Sequence, residues 1–408
     1  MKLGIFSDTH LGFGEKGERF PESFENLEQA LALCIEEQVD AAILAGDVFD
    51  APVPSHSVLF KAMQSFAKAG NVKSAVKVFL EKNSERKEIF PECLPIAVVH
   101  GNHEFRGGDS KTALDVLNLA GLLVYFHAAR LELSKGAEKV FIHGLGAVPE
   151  KKALQVLQHW NPEPVKGPAN ILVLHQGFKE FMAVDDEMVA TLSLEDIPKG
   201  FDLAVNGHLH WNSVQNLGET VFLLPGSTIA TSIKKLESEK PKGVFFYDTQ
   251  SKNLSFKALP RQRKMFYHKI VFHEASAEGV LKECSEIISK DLAVKQELKP
   301  LIRLNLKGTL KKGLSPGDVG LQEIFAAFSE KALLSISKNF SSASFRKKIS
   351  ELREIQKSKL SVAAMGFELL EKNLEETDLR ENFSAKELFA LLAEDDLDKA
   401  MDLVVRKD

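Results

Sequence analysis

The sequence predicts a protein of the mixed α/β (α+β) class, built as a two-sheet sandwich flanked by helices. Residues 1 to about 260 alternate short apolar runs with amphipathic helical segments, and after His210 the chain changes to short strands separated by turns. With 408 residues, of which 44% are hydrophobic, the chain is long enough for a large core and two or three domains. The net charge of −5 does not point to a nucleic-acid binder, although local patches could still recruit one.

Helical spacing of apolar residues predicts three helices that pack on the sheets. They run from about Phe24, from about Ser55 and from about Ala113. Two prolines directly before Ser55 keep the second helix from starting earlier. Residues 71–92, which are rich in Lys and Glu, are expected to form an exposed helical extension. His143 follows another apolar strand without a partner at close spacing, so we interpret it as a structural histidine.

The chain is expected to divide into four parts. Residues 1–260 form the main domain, residues 265–310 a small strand-helix-strand cap domain, residues 311–320 a glycine-rich linker and residues 321–408 a helical tail. The tail is basic over residues 338–359 and acidic towards its end. Such helices suit either a self-contained helical hairpin or a docking surface for a partner's coiled coil.

The cysteines and the hydropathy pattern point to the cytoplasm. Cys34, Cys93 and Cys284 are far apart and outside any Cys-x-x-Cys spacing, so we interpret them as reduced thiols without chemistry of their own. Asp8 and His10 come too early in the chain for a signal peptide. No apolar run approaches the ~18 to 20 residues that a membrane helix needs. We therefore expect a cytoplasmic protein with no membrane-spanning segment.

Five of the apolar runs end in residues that can bind a metal ion. Open α/β sheets place their ligands at the carboxyl ends of strands, so these residues are expected to meet at one site. If the chain stays extended after the first run, Asp8 and His10 point to the same side. The candidate ligands, in chain order, are Asp8, His10, Asp47, Asn102, His175, His208 and His210.

The mixture of carboxylate, amide and imidazole groups suits borderline ions such as Mn(II), Fe(II) or Zn(II). Seven ligands exceed the need of one ion and suit two ions roughly 3.5 to 4 Å apart, bridged by a carboxylate. Such a pair clamps a phosphate and lowers the pKa of a water that attacks phosphorus. A leaving alkoxide needs a proton, and His103 is the candidate donor.

These motifs resemble those of the calcineurin-like metallophosphoesterase superfamily in order and spacing. The resemblance rests on Asp8-x-His10, Gly46-Asp47, Gly101-Asn102-His103-Glu104, His175 and Gly207-His208-x-His210. It implies a metallophosphoesterase sandwich with two metal ions. By that resemblance one ion is held by Asp8, His10, Asp47 and His210, and the other by Asp47, Asn102, His175 and His208.

Further stretches resemble the Mre-eleven/SbcD family of double-strand-break repair nucleases. They are Ser7 to Gly12, His175-Gln176-Gly177, Pro225-Gly226-Ser227, Ala230-Thr231-Ser232 and Pro241-Lys242-Gly243. The resemblance implies a homodimeric DNA nuclease with two Mn(II) ions per chain and with 3′-to-5′ exonuclease and endonuclease activity on duplex ends and single strands. It also implies a Rad-fifty/SbcC-type, SMC-like ATPase that binds the C-terminal helices, and a location at the nucleoid.

Two residues are expected to lie beside the metals. Asp50 stands where relatives of the archaeal and eukaryotic branch often carry histidine, and it is expected to face the same cleft. Ser227 lies in a turn whose hydroxyls and backbone amides could approach a phosphate, although a plain β-turn explains it as well. The resemblance further implies that helices near 55–68 and 108–120 form the dimer contact.

Two other function classes remain open. One is a phosphodiesterase or phosphatase acting on small nucleotides, which the acidic net charge and the lack of a continuous basic stripe favour. The other is a catalytically idle scaffold that binds DNA or an ATPase. The intact set of candidate ligands together with His103 argues against the scaffold.

Overall fold

The computed structural model describes residues 1–89, 93–105, 110–181, 192–340, 384–393 and 397–405, together with Phe367, Leu370 and Leu374. The basic helical segment expected within 338–359 lies outside the described residues from residue 341 onward. The chain forms two compact units. The first comprises Met1–His268, Ile288–Arg303 and Phe328–Ser335, and the second comprises Lys269–Ile287, Leu304–Ala327 and Ile336–Asp408.

The strands of the described residues are short in the first 260 residues and longer beyond them. They are β1 (Lys2–Phe6), β2 (Ala41–Ala45), β3 (Lys77–Lys82), β4 (Glu85–Ile89), β5 (Ile96–Val99), β6 (Val124–Tyr125), β7 (Ala129–Lys135), β8 (Glu138–Leu145), β9 (Ala169–Leu174), β10 (Leu203–Asn206), β11 (Ser213–Leu217), β12 (Thr220–Leu224), β13 (Gly243–Asp248), β14 (Leu254–Ala258), β15 (Met265–Ala275), β16 (Leu301–Leu310) and β17 (Leu333–Phe340).

The α-helices of the described residues lie between these strands and near the C-terminus. They are α1 (Phe20–Glu36), α2 (His56–Ala67), α3 (Ala113–Leu119), α4 (Ala153–Trp160), α5 (Lys235–Ser238), α6 (Ala277–Leu292), α7 (Gln322–Phe328), α8 (Ala385–Ala393) and α9 (Leu397–Val405). None of them is both long and apolar enough to cross a membrane.

Two sheets form the first unit. One has six strands in the order β14-β13-β1-β2-β5-β6, and the other has eight in the order β11-β12-β10-β9-β8-β7-β3-β4. In the first sheet β1, β2, β5 and β6 run parallel, while β13 runs antiparallel to both of its neighbours, β1 and β14. In the second, β8, β9, β10 and β12 run parallel. The carboxyl ends of parallel strands within each sheet therefore lie at the same edge.

The core lies between the sheets and on the outer face of each. Leu3 and Ile5 of β1 are fully buried in one cluster with Ile171 and Val205 of the second sheet, so the two sheets form a sandwich. The next side chain, Phe6, belongs to the cluster under α1 and α2, because side chains alternate along a strand. A third cluster covers the outer face of the second sheet. This architecture confirms the predicted sandwich flanked by helices.

Helix starts follow the capping residues of the sequence. Helix α2 begins after Ser55, whose hydroxyl accepts a hydrogen bond from the Val58 amide at 3.2 Å. Helix α3 begins after Thr112, which forms a reciprocal capping box with Asp115. Side-chain acceptors of this kind satisfy amides that have no partner within the helix. The predicted starts near Ser55 and Ala113 are confirmed.

The helical extension expected for residues 71–92 is wrong. The chain forms a hairpin of β3 and β4 there, at the edge of the eight-stranded sheet. Val76 and Val78 point into the core with relative exposures of 5% and 0%. Asn83 and Ser84 both have positive φ, 50° and 65°, as a two-residue hairpin turn requires. The alternation of apolar residues is typical of a strand with one buried face, and most of the charged residues of the hairpin are exposed to solvent.

The region after residue 320 was expected to be wholly helical, and this expectation is wrong. Strand β17 joins β15 and β16 in a three-stranded sheet with the order β15-β16-β17. The strand-helix-strand order expected for 265–310 is present as β15, α6 and β16. The glycine-rich stretch of 311–320 contains a short 3₁₀ helix, Pro316–Asp318, capped by Ser315. Strand β17 carries alternating polar residues, and Asn339 Nδ2 donates to Asn305 Oδ1 across the sheet at 3.1 Å.

Candidate metal centre

Five strand ends from the two sheets bring the candidate ligands together. Asp8 follows β1, Asp47 follows β2 and Asn102 follows β5, all in the six-stranded sheet. His175 follows β9 and His208 follows β10, in the eight-stranded sheet. The backbone ties these loops to one another, since the Asp8 amide donates to the Gly46 carbonyl at 3.0 Å and the His10 amide donates to the Asp47 carbonyl at 3.0 Å.

The ligand atoms form three overlapping groups, each with all its atoms within 4.8 Å of one another. The groups are Asp8, His10 and His210; His10, Asp47 and His103; and Asp47, His175 and His208. Asn102 joins them through a 3.1 Å contact between its Nδ2 and His208 Nδ1. His10 and Asp47 each belong to two of the groups, and of the two only the carboxylate of Asp47 has the two oxygens that a bridge between ions needs. The structure therefore brings together all seven candidate ligands and His103.

The free lone pair of His175 tests whether these residues fit a metal ion. Its Nδ1 lies 2.7 Å from the Ala45 carbonyl, which can only accept, so the proton is on Nδ1 and the lone pair is on Nε2. That Nε2 is buried without a hydrogen-bond partner and lies 3.2 Å from Asp47 Oδ2. Two acceptors at this distance repel each other unless a proton or a metal cation lies between them. The donor set therefore fits a divalent ion.

The backbone around the site is held in an unusual conformation. Asp8, His10, Asp47 and His208 have positive φ values of 53°, 42°, 46° and 74°. Non-glycine residues rarely adopt this region, and each instance costs about 1 to 3 kcal/mol. The extended chain assumed at Asp8-x-His10 is therefore wrong, and the two side chains converge through left-handed turns instead. The His208 amide holds this geometry by donating to the Asp8 carboxylate at 3.1 Å.

Glycines next to the ligands let the loops approach closely. A Cβ at Gly101 would lie 2.0 Å from Asp47 Oδ1, and a Cβ at Gly207 would lie 2.0 Å from the Ala45 carbonyl oxygen. Both distances are far below van der Waals contact, so neither position accepts another residue without a backbone shift. A side chain at either position would collide with a neighbouring loop, which explains why glycine precedes Asn102 and His208.

Burial and charge shift the pKa values of these groups strongly. Burial raises the pKa of Asp8 to about 6. Burial lowers the pKa of His175, but the negative charges of Asp47 and Asp8 outweigh it and raise the value to about 10. Burial lowers the pKa of His208 to about 4. The site thus pairs carboxylates with a histidine that attracts positive charge, as a cation-binding centre does.

His103 and Asp50 lie beside this cluster. The His103 amide donates to Asp47 Oδ1 at 2.9 Å, and its Nδ1 lies 2.6 Å from the Asp50 carbonyl oxygen. The carbonyl accepts from Nδ1–H, which leaves Nε2 of the ring for other partners. The Asp50 carboxylate lies 3.2 Å from His10 Nδ1, on the opposite side of that ring from His210.

Ser227 and His143 lie in other surroundings. Ser227 is 1% exposed, and its hydroxyl donates to the Ile229 carbonyl at 2.6 Å and accepts from Lys242 Nζ at 2.8 Å. The structure thus places this hydroxyl in a buried network. His143 packs edge-on against Phe201, with ring centroids 5.0 Å apart, and belongs to none of the three ligand groups.

Sequence reasoning assigned no role to Glu104, which supports the Asp47 loop. This carboxylate is 2% exposed and accepts from the Phe49 amide at 2.6 Å and from the Gly101 amide at 2.8 Å. Burial and the neighbouring Asp47 raise the pKa of Glu104 to about 7. It connects the loops that carry Asp47 and Asn102. Its place directly after Asn102-His103 was the signal that could have revealed it.

Curated relatives of the chain are double-strand break repair proteins named MRE11. The protein of Arabidopsis thaliana is 25% identical over 100% of this chain and 62% of its own length. That of Encephalitozoon cuniculi is 30% identical over 57% of this chain and 43% of its own length, and that of Mus musculus is 25% identical over 75% and 50%. The chain thus spans less than two thirds of the length of these relatives.

The family model that matches is the calcineurin-like phosphoesterase, over residues 1–212. This region contains β1, β2, β5, β9 and β10 and every candidate ligand described above. The match covers half of the chain, and the named relatives confirm the resemblance to the Mre-eleven nucleases. The chain therefore belongs to the calcineurin-like phosphoesterase family, in which its curated relatives are the MRE11 double-strand break repair proteins.

Proposed function

We propose that the protein is a dinuclear-metal nuclease, with 3′-to-5′ exonuclease and endonuclease activity, that processes DNA ends in double-strand break repair. The observation that carries this proposal is the position of Asp47, whose carboxylate is grouped with His175 and His208 and also with His10 and His103. The names of the relatives support DNA as the substrate. The acting metal in this proposal is Mn(II), two ions per chain, which the family resemblance implies and which a donor set of oxygen and imidazole without thiolate can hold.

Each side chain has a role in this proposal. Asp8, His10, Asp47 and His210 hold the first ion, and Asp47, Asn102, His175 and His208 hold the second. When bound, the two ions neutralise the phosphate charge and make a water nucleophilic at neutral pH. The Ala45 carbonyl holds the ring of His175 through Nδ1, and the Asp50 carboxylate lies 3.2 Å from His10 Nδ1.

His103 donates a proton to the leaving alkoxide oxygen. Its Nδ1 is held by the Asp50 carbonyl, so its Nε2 is the atom that carries and releases the proton. The position of the ring supports this role, because its centroid lies 4.8 Å from that of His10, at the edge of the ligand cluster. Asp50 in this proposal positions His10 and faces the substrate cleft.

Exposed apolar residues on α2 and α3 support the homodimer. Phe60 is 61% exposed, Val116 44% and Leu119 91%. Helices α2 and α3 bury their other faces in the same core cluster. A second copy of this chain would cover the exposed face, as the resemblance implies for helices near 55–68 and 108–120.

The C-terminal helices support a partner of the Rad-fifty/SbcC type. Helices α8 and α9 are amphipathic, and they leave Leu392 42% and Met401 66% exposed. We propose that they bind the coiled-coil base of an SMC-like ATPase and that the complex acts on chromosomal DNA in the cytoplasm, at the nucleoid. This part of the proposal takes its partner from the family resemblance.

Hydrolysis of end-labelled linear duplex DNA tests the proposal. Purified protein is assayed in Mn(II), in Mg(II) and in chelator, with His103→Leu alongside and a bis-nitrophenyl phosphate control. We expect Mn-dependent shortening of the duplex that the variant lacks. Cleavage of the small diester with DNA left intact, alone and with added ATPase partner, would redirect the function to small nucleotides. No hydrolysis of either substrate would favour a binding scaffold.

A further inference from the structure

Lys242 is a lysine whose ammonium group lies inside the protein. It precedes β13, and its side chain is 9% exposed. Its Nζ donates to the Glu237 carboxylate at 2.7 Å, to the His210 carbonyl at 2.8 Å and to the Ser227 hydroxyl at 2.8 Å. An ammonium group has three N–H donors, so these contacts use all of them. The contacts hold Lys242 in a single position.

Stability alone does not explain this buried ion pair. Glu237 is 1% exposed, and its other oxygen accepts from the Ser232 hydroxyl at 3.3 Å. Removing two charges from water is costly, and well-packed apolar residues in place of such a pair are often at least as stable. A pair that connects to a functional residue has a reason beyond stability.

The network leads to His210, both at its backbone and at its ring. The His210 carbonyl accepts from Lys242 Nζ and from the Ser227 amide, the latter at 3.2 Å. Its ring Nδ1 lies 2.9 Å from Thr231 Oγ1 and 4.0 Å from Glu237 Oε1. When Nδ1–H donates to Thr231, the lone pair is on Nε2, which lies 3.8 Å from Asp8 Oδ1. Hydrogen bonds of this kind fix the tautomer and direction of a metal-binding histidine.

We propose that the Glu237–Lys242 ion pair positions His210, so that its Nε2 binds the first metal ion. This inference rests on the proposed function, in which His210 is a ligand of that ion. Lys242 and Glu237 are positioning residues, because they act through His210 and the turn of residues 227–232. The second ion depends on His175, whose Nδ1 is held by Ala45 instead. The Glu237–Lys242 pair therefore affects the first metal site and not the second.

Calorimetric titration of Mn(II) into the metal-free full-length chain tests this inference. Wild type should bind two ions. The double variant Lys242→Met/Glu237→Gln removes both charges together, so neither is left unpaired. We expect the affinity of one site to fall by roughly 10- to 100-fold, the range for such supporting residues, and that of the other site to stay unchanged. Thr231→Val should weaken the same site, and Thr231→Ser should restore it.

An ion pair away from the turn of residues 227–232 provides the control. The Glu132 side chain is 6% exposed, Lys139 Nζ lies 2.7 Å from its Oε1, and its other charged partner, Arg86, is not a candidate ligand. Lys139→Met/Glu132→Gln removes one charge of each sign, as the test variant does, and should leave both Mn(II) affinities unchanged.

The outcomes separate the inference from the proposed function. Fewer than two ions bound by wild type would overturn both. Two ions bound by wild type, with both affinities unchanged in Lys242→Met/Glu237→Gln, would overturn the inference alone. If that variant does not fold, Glu237→Gln decides, because it keeps the shape and an acceptor oxygen for Lys242. Unchanged affinities in a folded Glu237→Gln would then overturn the inference.

Discussion

At the scale of single residues, the two oxygens of Asp47 have different surroundings. Oδ1 accepts from the His103 amide at 2.9 Å, and Oδ2 lies 3.2 Å from His175 Nε2. One carboxylate thus connects the proposed proton donor with the second group of ligands. Burial raises the pKa of Asp47, but the positive charges of His175 and His10 outweigh it and hold the pKa far below its usual range.

Replacing His103 separates proton donation from metal binding. We expect His103→Leu to keep both ions, because its side chain lies beside the proposed ligand sets, while the nuclease rate falls roughly 10²- to 10⁴-fold. His208→Ala should instead weaken the second site. Metal content by mass spectrometry of the native protein and single-turnover DNA cleavage measure the two effects. Loss of an ion from His103→Leu would contradict its role as the proton donor.

His127 makes the stability of the first unit sensitive to acid. Burial and the neighbouring His100 lower the pKa of His127 to about 4, while the unfolded chain keeps the ordinary value of 6.5. Between these values the unfolded state binds more protons, so the stability present above pH 6.5 is lost as the pH falls towards 4.

Urea unfolding in chelator between pH 7 and pH 4.5 measures this effect. His127→Phe should reduce the slope of the unfolding free energy against pH, by at most about 1.4 kcal/mol per pH unit. The slope of the unfolding free energy against pH is the quantity to compare, because a loss of packing that is the same at every pH does not change it. His159→Phe, a substitution in helix α4, is the control. Equal slopes in wild type and His127→Phe would contradict the buried neutral state of His127.

Much of the site was predictable from sequence at this scale, because each candidate ligand lies in the loop that follows an apolar strand. The left-handed backbone of Asp8 and His208 was not, since nothing local distinguishes these residues from an extended chain. Glu104 and Lys242 were missed as supporting residues because they act through contacts between distant loops. Ser227 was expected near the substrate, yet its hydroxyl engages Lys242.

At the scale of elements, the hairpin of β3 and β4 shows which signal dominates. The high charge of 71–92 suggested a solvated helix, whereas the period-two pattern of Val76, Val78 and Leu80 matches a strand with one buried face. The sequence did not predict strand β17, because its alternating polar residues lie in a region that otherwise has helical composition. Starts of α2 and α3 were predictable because their capping residues are local.

Truncation of the C-terminus should separate chemistry from partner binding. A cut near residue 320 would remove β17 from its three-stranded sheet, so the informative cut is after Phe340. We expect residues 1–340 to keep Mn-dependent nuclease activity within about twofold and to lose binding to an SMC-like ATPase, because α8 and α9 are gone. Pull-down and cleavage assays test this. Binding of the ATPase by the truncated chain would contradict the docking role of these helices.

At the scale of the whole molecule, the two-sheet sandwich followed from alternating strands and helices. The order of strands did not, because β1 pairs with β13 through contacts such as Lys2 with Asp248, which no local pattern specifies. The same long-range pairing places β9 and β10 in a different sheet from β1, β2 and β5. The proposed metal centre thus depends on the packing of both sheets, and its residues come from loops far apart in sequence.

The proposed dimer can be tested by charging its contact surface. Phe60→Glu/Leu119→Glu places two carboxylates on the exposed apolar face of α2 and α3, and we expect the protein to become monomeric in light scattering. Val214→Glu is the control. Val214 is 47% exposed and lies on β11 of the eight-stranded sheet, whereas α2 and α3 pack on the six-stranded sheet. An unchanged mass for the double variant would place the dimer contact elsewhere.

In the proposed function the two sheets assemble one centre for two metal ions, shared through Asp47. A crystal structure of the Mn(II)-soaked protein, with anomalous diffraction at the manganese edge, tests this arrangement. We expect two anomalous peaks roughly 3.5 to 4 Å apart, with Asp47 in contact with both. His210 should contact one ion and His175 the other. A single peak, or two peaks without Asp47 between them, would show that the centre is not dinuclear or is not shared through Asp47.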